Sequence, residues 1–560
     1  MFTLPSVTTV KTRVQENWKA ALTVALISIP LSIALSIASG AGPLPGLIAG
    51  IWGTLIGSIF IGSEYNVIGA AGALTTVLFA ATLTAPLGLG AAILPILALF
   101  TGAIVFIIWL LRLERYLYYI PSSVMYGFAA GVAILIAVGQ LFDASGLSKL
   151  SRTGHLTGDI EKFFANTDLV HTPSLMTFVV FLAFILTFKR FVKKVPAVIP
   201  AAILGIVFGY LEATYFSLDI ISLQDKFGTF AATLSLPVAW DGLIAILKSH
   251  EALKLVIEVS GLIALIAVLE TLITAKLGDK LTKTESSSSR ELLGLSLSNF
   301  GSGIFGGLPT TGVFIRTGAN IKAGATHRTS GILAAIFTAI IALLVLPFFS
   351  FLPMAVIAAI LVNTALGLLE LEKFTEYWHH ERESFVVAIT VALITILHDA
   401  GLGVGIGAVM ALLIFASKIA HGRFDVIWNY SDGTQEEIRR ERHLLIPSEK
   451  TIDFASYSIA GNIGYIDASR HFNNLKVMAQ SHAVPAVIIR FRNLFSVDFE
   501  GTEALSDAVA ELVANKTQVF ISSASPHIEK ELVAYPVFKT LKDQGCFTAK
   551  TTDAIALIKK

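Results

Sequence analysis

Apolar runs separated by short polar gaps fill the chain from Lys19 to about residue 420. About fourteen can be marked, at 19–39, 46–62, 72–84, 91–110, 121–142, 172–188, 196–214, 252–275, 291–306, 311–322, 328–349, 353–370, 383–398 and 401–419. Most have the 17–25 residues that a helix needs to cross a bilayer, and a few are shorter. One short segment follows a break. In the stretch Gly301 to Lys322, the residues Gly306, Gly307 and Pro309 stop any helix, and a new one is expected to begin near Thr310, Thr311 and Gly312 with a threonine as its cap. The first N–H groups of such a helix have no intrahelical partner and carry partial positive charge, which suits an anion. Arg316 stands about one turn further on.

Charge fixes an orientation. Lys11, Arg13, Lys19, Arg112, Arg115, Lys189, Arg190, Lys193, Lys194, Lys276, Lys280, Lys283, Arg290, Lys322, Arg328, Lys418 and Arg423 all fall on one side of such a set of spans. By the positive-inside rule that side is the cytoplasm, so the span number is even and both termini are expected to be cytoplasmic. The pattern also repeats. Pro121-Ser-Ser-Val opens the fifth segment and Pro353-Met-Ala-Val the twelfth; Gly69-Ala-Ala-Gly72 opens a short third and Pro309-Thr-Thr-Gly312 the short tenth. Seven segments is an odd number, so the second copy enters from the opposite face. Paired interrupted helices in an inverted repeat mark a site near the midplane.

Beyond about residue 425 charges become frequent. Val487-Ile-Ile-Arg-Phe and Val519-Phe-Ile-Ser-Ser read as strands, and Gly501–Val513 as an amphipathic helix with Leu505, Val509 and Leu512 on one face. The expected domains are an N-terminal segment 1–18, a membrane domain 19–425 with repeats 19–214 and 252–419, and a cytoplasmic α/β domain 430–560.

Composition supports this division. Of 560 residues 54% are hydrophobic and 14% charged, where a soluble protein has about 25% charged. The net charge of +1 offers nothing to nucleic acid, and the single cysteine, Cys546, excludes an intrachain disulfide and a cysteine-built metal site. There is no Gly-x-x-x-x-Gly-Lys-[Ser/Thr] phosphate loop for an ATP-driven pump, and no nucleophile–base set or metal cluster for an enzyme.

Two intramembrane charges stand out. Arg316 is read as attracting an anion, or as a structural ion pair with Glu270; such residues face a cavity or a partner because burial is costly. Glu270 is a candidate proton carrier, since a buried carboxylate gains a raised pKa. Thr75, Thr76, Thr310 and Thr311 stand at the two short-helix starts, where each either caps the helix or meets the anion; Ala71, Gly72 and Ala73 permit close approach, and Phe79 and Phe314 are candidate walls.

The run Arg290-Glu-Leu-Leu-Gly, Ser298-Asn-Phe, Phe305-Gly-Gly-Leu-Pro309, Gly312, Arg316-Thr-Gly-Ala-Asn320 and Ala323-Gly-Ala-Thr-His-Arg resembles the signature of the sulfate-permease (SulP) family of anion transporters. Ile29-Pro30 through Pro45-Gly46-Leu resembles its opening motif, and the C-terminal part resembles its STAS domain. The resemblance implies core and gate subdomains, a homodimer, an elevator-like motion and an anion held between the facing N-termini of the third and tenth segments. Carried over, the binding residues are Ala71, Gly72, Ala73, Leu74 and Thr75 from the third, and Thr311, Gly312, Val313, Phe314 and Arg316 from the tenth. Glu270 and Thr274 fall at the coupling-ion position, where sodium-coupled bicarbonate members carry an aspartate. The glutamate, with Val313 and Phe314 after the tenth-segment glycine, shifts the expectation from Na+ to H+. The expected function is thus secondary, proton-coupled transport of sulfate or a small dicarboxylate in the inner (plasma) membrane, the alternatives being sodium–bicarbonate symport and uncoupled conduction. In the STAS-like part Ser496-Val-Asp498-Phe-Glu500-Gly501-Thr502 replaces the Asp-Ser-Ser-Gly loop of soluble relatives, leaving Thr502 as a weak phosphorylation candidate and a cytoplasmic protein as a possible partner.

Overall fold

The computed structural model describes residues 7–117, 121–150, 152–153, 156–192, 195–216, 218–228, 233–398, 400–420, 423–439, 444, 446–447, 450–481 and 483–559. Lys193 and Lys194 of the charge pattern lie outside them. The chain divides into two compact units, residues 1–411 and 412–560.

The first unit is helical. Among the described residues ten helical runs are long and apolar enough to cross a membrane. Four further segments fall short of that length: Gly72–Leu83, Ser288–Ile304, Phe314–Lys322 and Arg382–Leu397. Together they account for the fourteen segments of the hydropathy pattern. Helix ends differ from the expectation where polar residues extend a span: the first runs Val7–Ala38 and the eighth His250–Thr282.

Packing repeats with the same seven-segment offset. The first segment packs on the tenth and on the eleventh, Thr329–Phe349; the eighth packs on the third and on the fourth, Ile93–Leu110. The fifth, Ser122–Gly139, packs on the thirteenth; the twelfth, Met354–Leu368, packs on the sixth, Thr172–Phe191. The two copies meet where Ile68–Gly69 pairs antiparallel with Thr311–Gly312, Ile68 facing Gly312 and Gly69 facing Thr311. An antiparallel pair of equivalent segments is what an inverted repeat places at its centre, in line with the offset of the packing. This two-residue ladder also satisfies backbone groups that an interrupted helix would otherwise leave unpaired at membrane depth.

Segments one to four and eight to eleven pack mainly on one another as a core, and five to seven with twelve and thirteen on one another as a gate. Within the gate Gly127 lies against the backbone of Ala388, where a Cβ would overlap the carbonyl, so the fifth and thirteenth helices touch main chain to main chain.

The second unit carries a six-stranded sheet in the order Gln435–Arg439, Arg423–Tyr430, Ile452–Ile463, Ala486–Val497, Gln518–Ser522, Phe547–Thr548. The first three strands are antiparallel and the rest join in parallel. Helices Tyr465–Gln480 and Phe499–Ala514 connect the parallel strands. The larger apolar cluster includes Trp428, Tyr457, Leu475, Ile489 and Leu505; a smaller one holds Phe454, Ile488 and Ala554. Thr502 is buried and donates its hydroxyl to the Asp498 carbonyl at 2.8 Å, so it is poorly placed for phosphorylation.

Candidate functional site

Two short helices start at the ladder. After Gly69 the chain runs extended through Ala71, and the third segment begins at Gly72; after Gly312 it runs extended through Val313, and the tenth begins at Phe314. This corrects the expectation of a helix starting near Thr310 and capped by threonine. The flanking residues are Ala71 and Val313, and neither helix has a side-chain cap. The threonines are used elsewhere. Thr310 exchanges hydrogen bonds with the Asn299 amide, its N–H reaching Oδ1 at 2.9 Å and its carbonyl accepting from Nδ2 at 3.0 Å. Thr311 donates to the Ala267 carbonyl at 3.0 Å, and the Gly312 N–H donates to the Thr271 hydroxyl at 2.8 Å. The physical reason is register: a residue in the central ladder must be extended, and the hydroxyls beside it bind the eighth and ninth helices. The first turns of both short helices are therefore left with open N–H groups.

Arg316 sits in the first turn of the tenth helix and is fully buried. Its Nη2 donates to the Ser32 hydroxyl at 2.8 Å, while Nε and Nη1 have no partner. Among the described residues no carboxylate pairs with it, so the alternative of an Arg316–Glu270 ion pair is overturned. The guanidinium turns Nη1 toward the ladder: a Cβ added at Gly69 would overlap Nη1, and Gly50 of the second segment also borders it. Glycine at 69 thus brings a buried positive charge beside the backbone that leads into the third helix. A desolvated charge with two unused N–H groups is expensive unless something else supplies the acceptor.

The remaining site candidates gather around this point. Gly72, Ala73, Leu74 and Thr75 are buried, and Leu35, Ile136 and Leu368 flank Gly72 from the first, fifth and twelfth segments. Thr75 returns its hydroxyl hydrogen to the Gly72 carbonyl at 2.7 Å, and the buried Thr76 hydroxyl has no partner. Val313 is buried and its N–H donates to the Val67 carbonyl at 3.0 Å; Phe314 is half-buried. Phe79 is set apart, two turns along the third helix, with the Arg152 guanidinium 4.2 Å above its ring.

Glu270 is buried on the eighth helix with Thr311 beside it, and its Oε2 has no partner. Thr274, one turn on, donates weakly to the Gly312 carbonyl at 3.4 Å. Carboxylate, hydroxyl and carbonyl oxygens here form a donor set suited to a proton or a hard monovalent cation. Among the described residues no group of three or more His, Cys, Asp and Glu is placed to hold a metal.

Several residues escaped the sequence reading. Ser32, the partner of Arg316, lies two positions after Pro30 inside the first helix. Asn299 and Thr271 fix the ladder. Glu291, Asn66 and Thr317 form a buried chain behind it. Asn299 and Glu291 stand inside the signature run, which was the signal available; nothing local marks Ser32.

A helical membrane unit of two inverted halves, with an unpaired buried arginine between two uncapped half-helices, defines an integral membrane transporter rather than an enzyme. The chain belongs to the Sulfate permease family, whose model matches residues 15–391. It is 25% identical to the putative sulfate transporter YvdB of Bacillus subtilis (strain 168) over 81% of each chain. It is 23% identical to the bicarbonate transporter BicA of Picosynechococcus over 94% of this chain and 92% of that one. Among solved structures, murine Slc26a9, an anion transporter in its inward-facing state, superposes with TM-score 0.77 at 15% identity, covering 100% of this chain and 96% of that one. The transmembrane domain of BicA superposes with TM-score 0.61 at 24% identity over 71% of this chain and 97% of that one. The second unit, a mixed sheet with connecting helices, has the α/β build that the sequence pattern predicted and is consistent with the STAS domain that the resemblance implied.

Proposed function

We propose that the protein is a secondary active, proton-coupled carrier of a small dianion, sulfate or a short dicarboxylate, in the inner (plasma) membrane. One observation carries the reading: the Arg316 guanidinium is buried without a carboxylate, with Nε and Nη1 unused, beside the two open helix starts. An anion between Gly72 and Phe314 would accept from the free N–H groups of both helices and from the arginine, the charge-assisted bond being the strongest of these. Glu270 would carry the proton, being the one buried carboxylate of the site with an unused oxygen. The core would carry the anion past the gate in an elevator-like movement, in a homodimer whose termini and STAS domain are cytoplasmic; the STAS domain is the surface for a cytoplasmic protein partner.

Sodium–bicarbonate symport is the second reading, favoured by the likeness to BicA and by the oxygens of Glu270, Thr274, Thr311 and Gly312. Against it, the Gly312 carbonyl already accepts from Thr274, and the glutamate is one methylene longer than an aspartate. Proteoliposomes with an inward proton gradient and labelled sulfate, bicarbonate and fumarate, without sodium, separate the two. The expected result is accumulation of sulfate or fumarate above equilibrium. In Glu270→Gln the same gradient should no longer drive accumulation, while exchange of labelled for unlabelled anion continues. Bicarbonate uptake that appears only with sodium would replace this reading with the second. Anion flux that equilibrates and never accumulates would instead mean uncoupled conduction.

A further inference from the structure

Close behind the ladder lies another buried carboxylate, which the transport scheme does not use. Glu291 lies in the first turn of the ninth helix and is completely enclosed. It forms no ion pair among the described residues. Its Oε1 accepts from the Ser63 backbone N–H at 2.5 Å, and its Oε2 accepts from the Asn66 side-chain amide at 3.0 Å. A carboxylate enclosed without a cation is costly, and it persists only where its hydrogen bonds fix something.

What these bonds fix can be followed atom by atom. Asn66 Nδ2 is shared with the Thr271 carbonyl at 3.3 Å, and Asn66 Oδ1 accepts from the Thr317 hydroxyl at 3.1 Å. The Thr317 oxygen in turn accepts from the Val67 N–H at 3.0 Å. Val67 is the residue before the ladder, and its carbonyl takes the Val313 N–H at the mouth of the tenth helix. One turn on, the Asn320 amide donates to the Tyr65 carbonyl at 2.9 Å. The chain Glu291–Asn66–Thr317 therefore ends on the residue next to Arg316. It ties the turn that feeds the third helix to the helix that carries the arginine. Glu291 thus braces, from behind, a junction that the ladder, the Val313–Val67 bond and the Asn320–Tyr65 bond also hold.

The structure assigns Glu291 as the positioning residue of the anion site, holding Arg316 and the two helix starts in register through Asn66 and Thr317 without touching the anion. The assignment rests on the anion-site reading above for its consequence in transport, but not for the contacts themselves. The selection of a carboxylate follows from its neighbours: Ser63 N–H and Asn66 Nδ2 are both donors, and only an acceptor at both oxygens satisfies them. A glutamine of the same shape must turn an NH2 toward one of the two.

The test uses the full-length protein in proteoliposomes and in detergent. In Glu291→Gln the KM for labelled sulfate should rise about 10-fold, the equivalent of one charge-assisted hydrogen bond. The rate at saturation should stay within about 2-fold, because the groups that meet the anion are all present. Thr317→Val should give a similar rise, and the double variant no more than either alone, since both cut one chain. Hydrogen exchange supplies a readout independent of transport. Peptides covering 63–67 and 313–322 should exchange faster in Glu291→Gln, with the sixth and twelfth helices unchanged. Unaltered exchange in those two peptides, or an additive double variant, would overturn the assignment. If Glu291→Gln is not recovered folded, Thr317→Val is read by the same criteria, because it keeps the carboxylate. If the wild-type protein carries no sulfate, the substrate reading has failed, and the exchange data still decide the role of Glu291.

Discussion

Arg316 and Arg328 stand twelve positions apart in one signature run and are held in opposite ways. Arg328 is saturated: Nη2 and Nε take the two oxygens of Glu64 at 2.7 and 3.2 Å, Nη1 reaches the Ile61 carbonyl at 2.9 Å, and its backbone N–H also bonds Glu64. Arg316, more deeply enclosed, has Ser32 alone. Glu291 and Glu270, both buried near the ladder, divide in the same sense, Glu291 with a donor on each oxygen and Glu270 with one oxygen unused. A buried charge whose valences are filled by the protein is scaffold. One left open inside the same protein is kept open at a cost, which the proposed anion and proton would offset.

The largest effect that follows is at the open charge. Arg316→Ala should abolish anion uptake, or cut it at least about 100-fold, as expected for removing a buried charge-assisted contact. Because no internal ion pair is broken, the purified protein should melt within a few degrees of wild type. Retained uptake in proteoliposomes, or a collapse of the fold, would erase the distinction from Arg328.

Arg328→Ala should show the reverse. It strands Glu64 and the Ile61 carbonyl, and with Glu64 a third exposed and partly screened the loss is about 1–2 kcal/mol of stability. The apparent melting temperature should fall while the KM of the folded fraction for the anion stays near wild type. A large KM change with an unchanged melting curve would place Arg328 with Arg316 instead.

How far could this division be read from the sequence? The hydrophobic runs, the seven-segment repeat and the intramembrane positions of Arg316 and Glu270 were all visible, because each is a local property of composition or spacing. The family resemblance supplied the pairing of the third and tenth segments. The satisfaction of each charge was not visible. Ser32 reaches Arg316 from the first helix, and Asn66 reaches Thr317 across 251 positions, so no window along the chain contains both partners. The misplaced start of the tenth helix has the same origin. Thr311 has the composition of a helix cap, but its backbone belongs to a ladder whose other strand is Ile68–Gly69.

The smallest effect should come from a charge that is filled and also exposed. In the second unit Asp432 accepts from the Thr434 hydroxyl and N–H and from Lys450 Nζ at 3.0 Å. These contacts, the Thr434 hydroxyl foremost, hold its carboxyl down to about 2 from an ordinary 3.8. The folded pKa is depressed, so the stabilisation is present above about pH 4 and is lost as pH falls toward 2, with roughly half gone near pH 3. Water surrounds the group, so its weight should be slight: Asp432→Asn should lower the melting temperature of the second unit by about 1 °C at pH 7 and by less at pH 3. A drop as large as that of Arg328→Ala would mean that filled valences matter regardless of burial. A barely measurable one, beside the losses at Arg328 and Arg316, would show that burial sets the scale and that partnering decides whether the energy serves the fold or the anion.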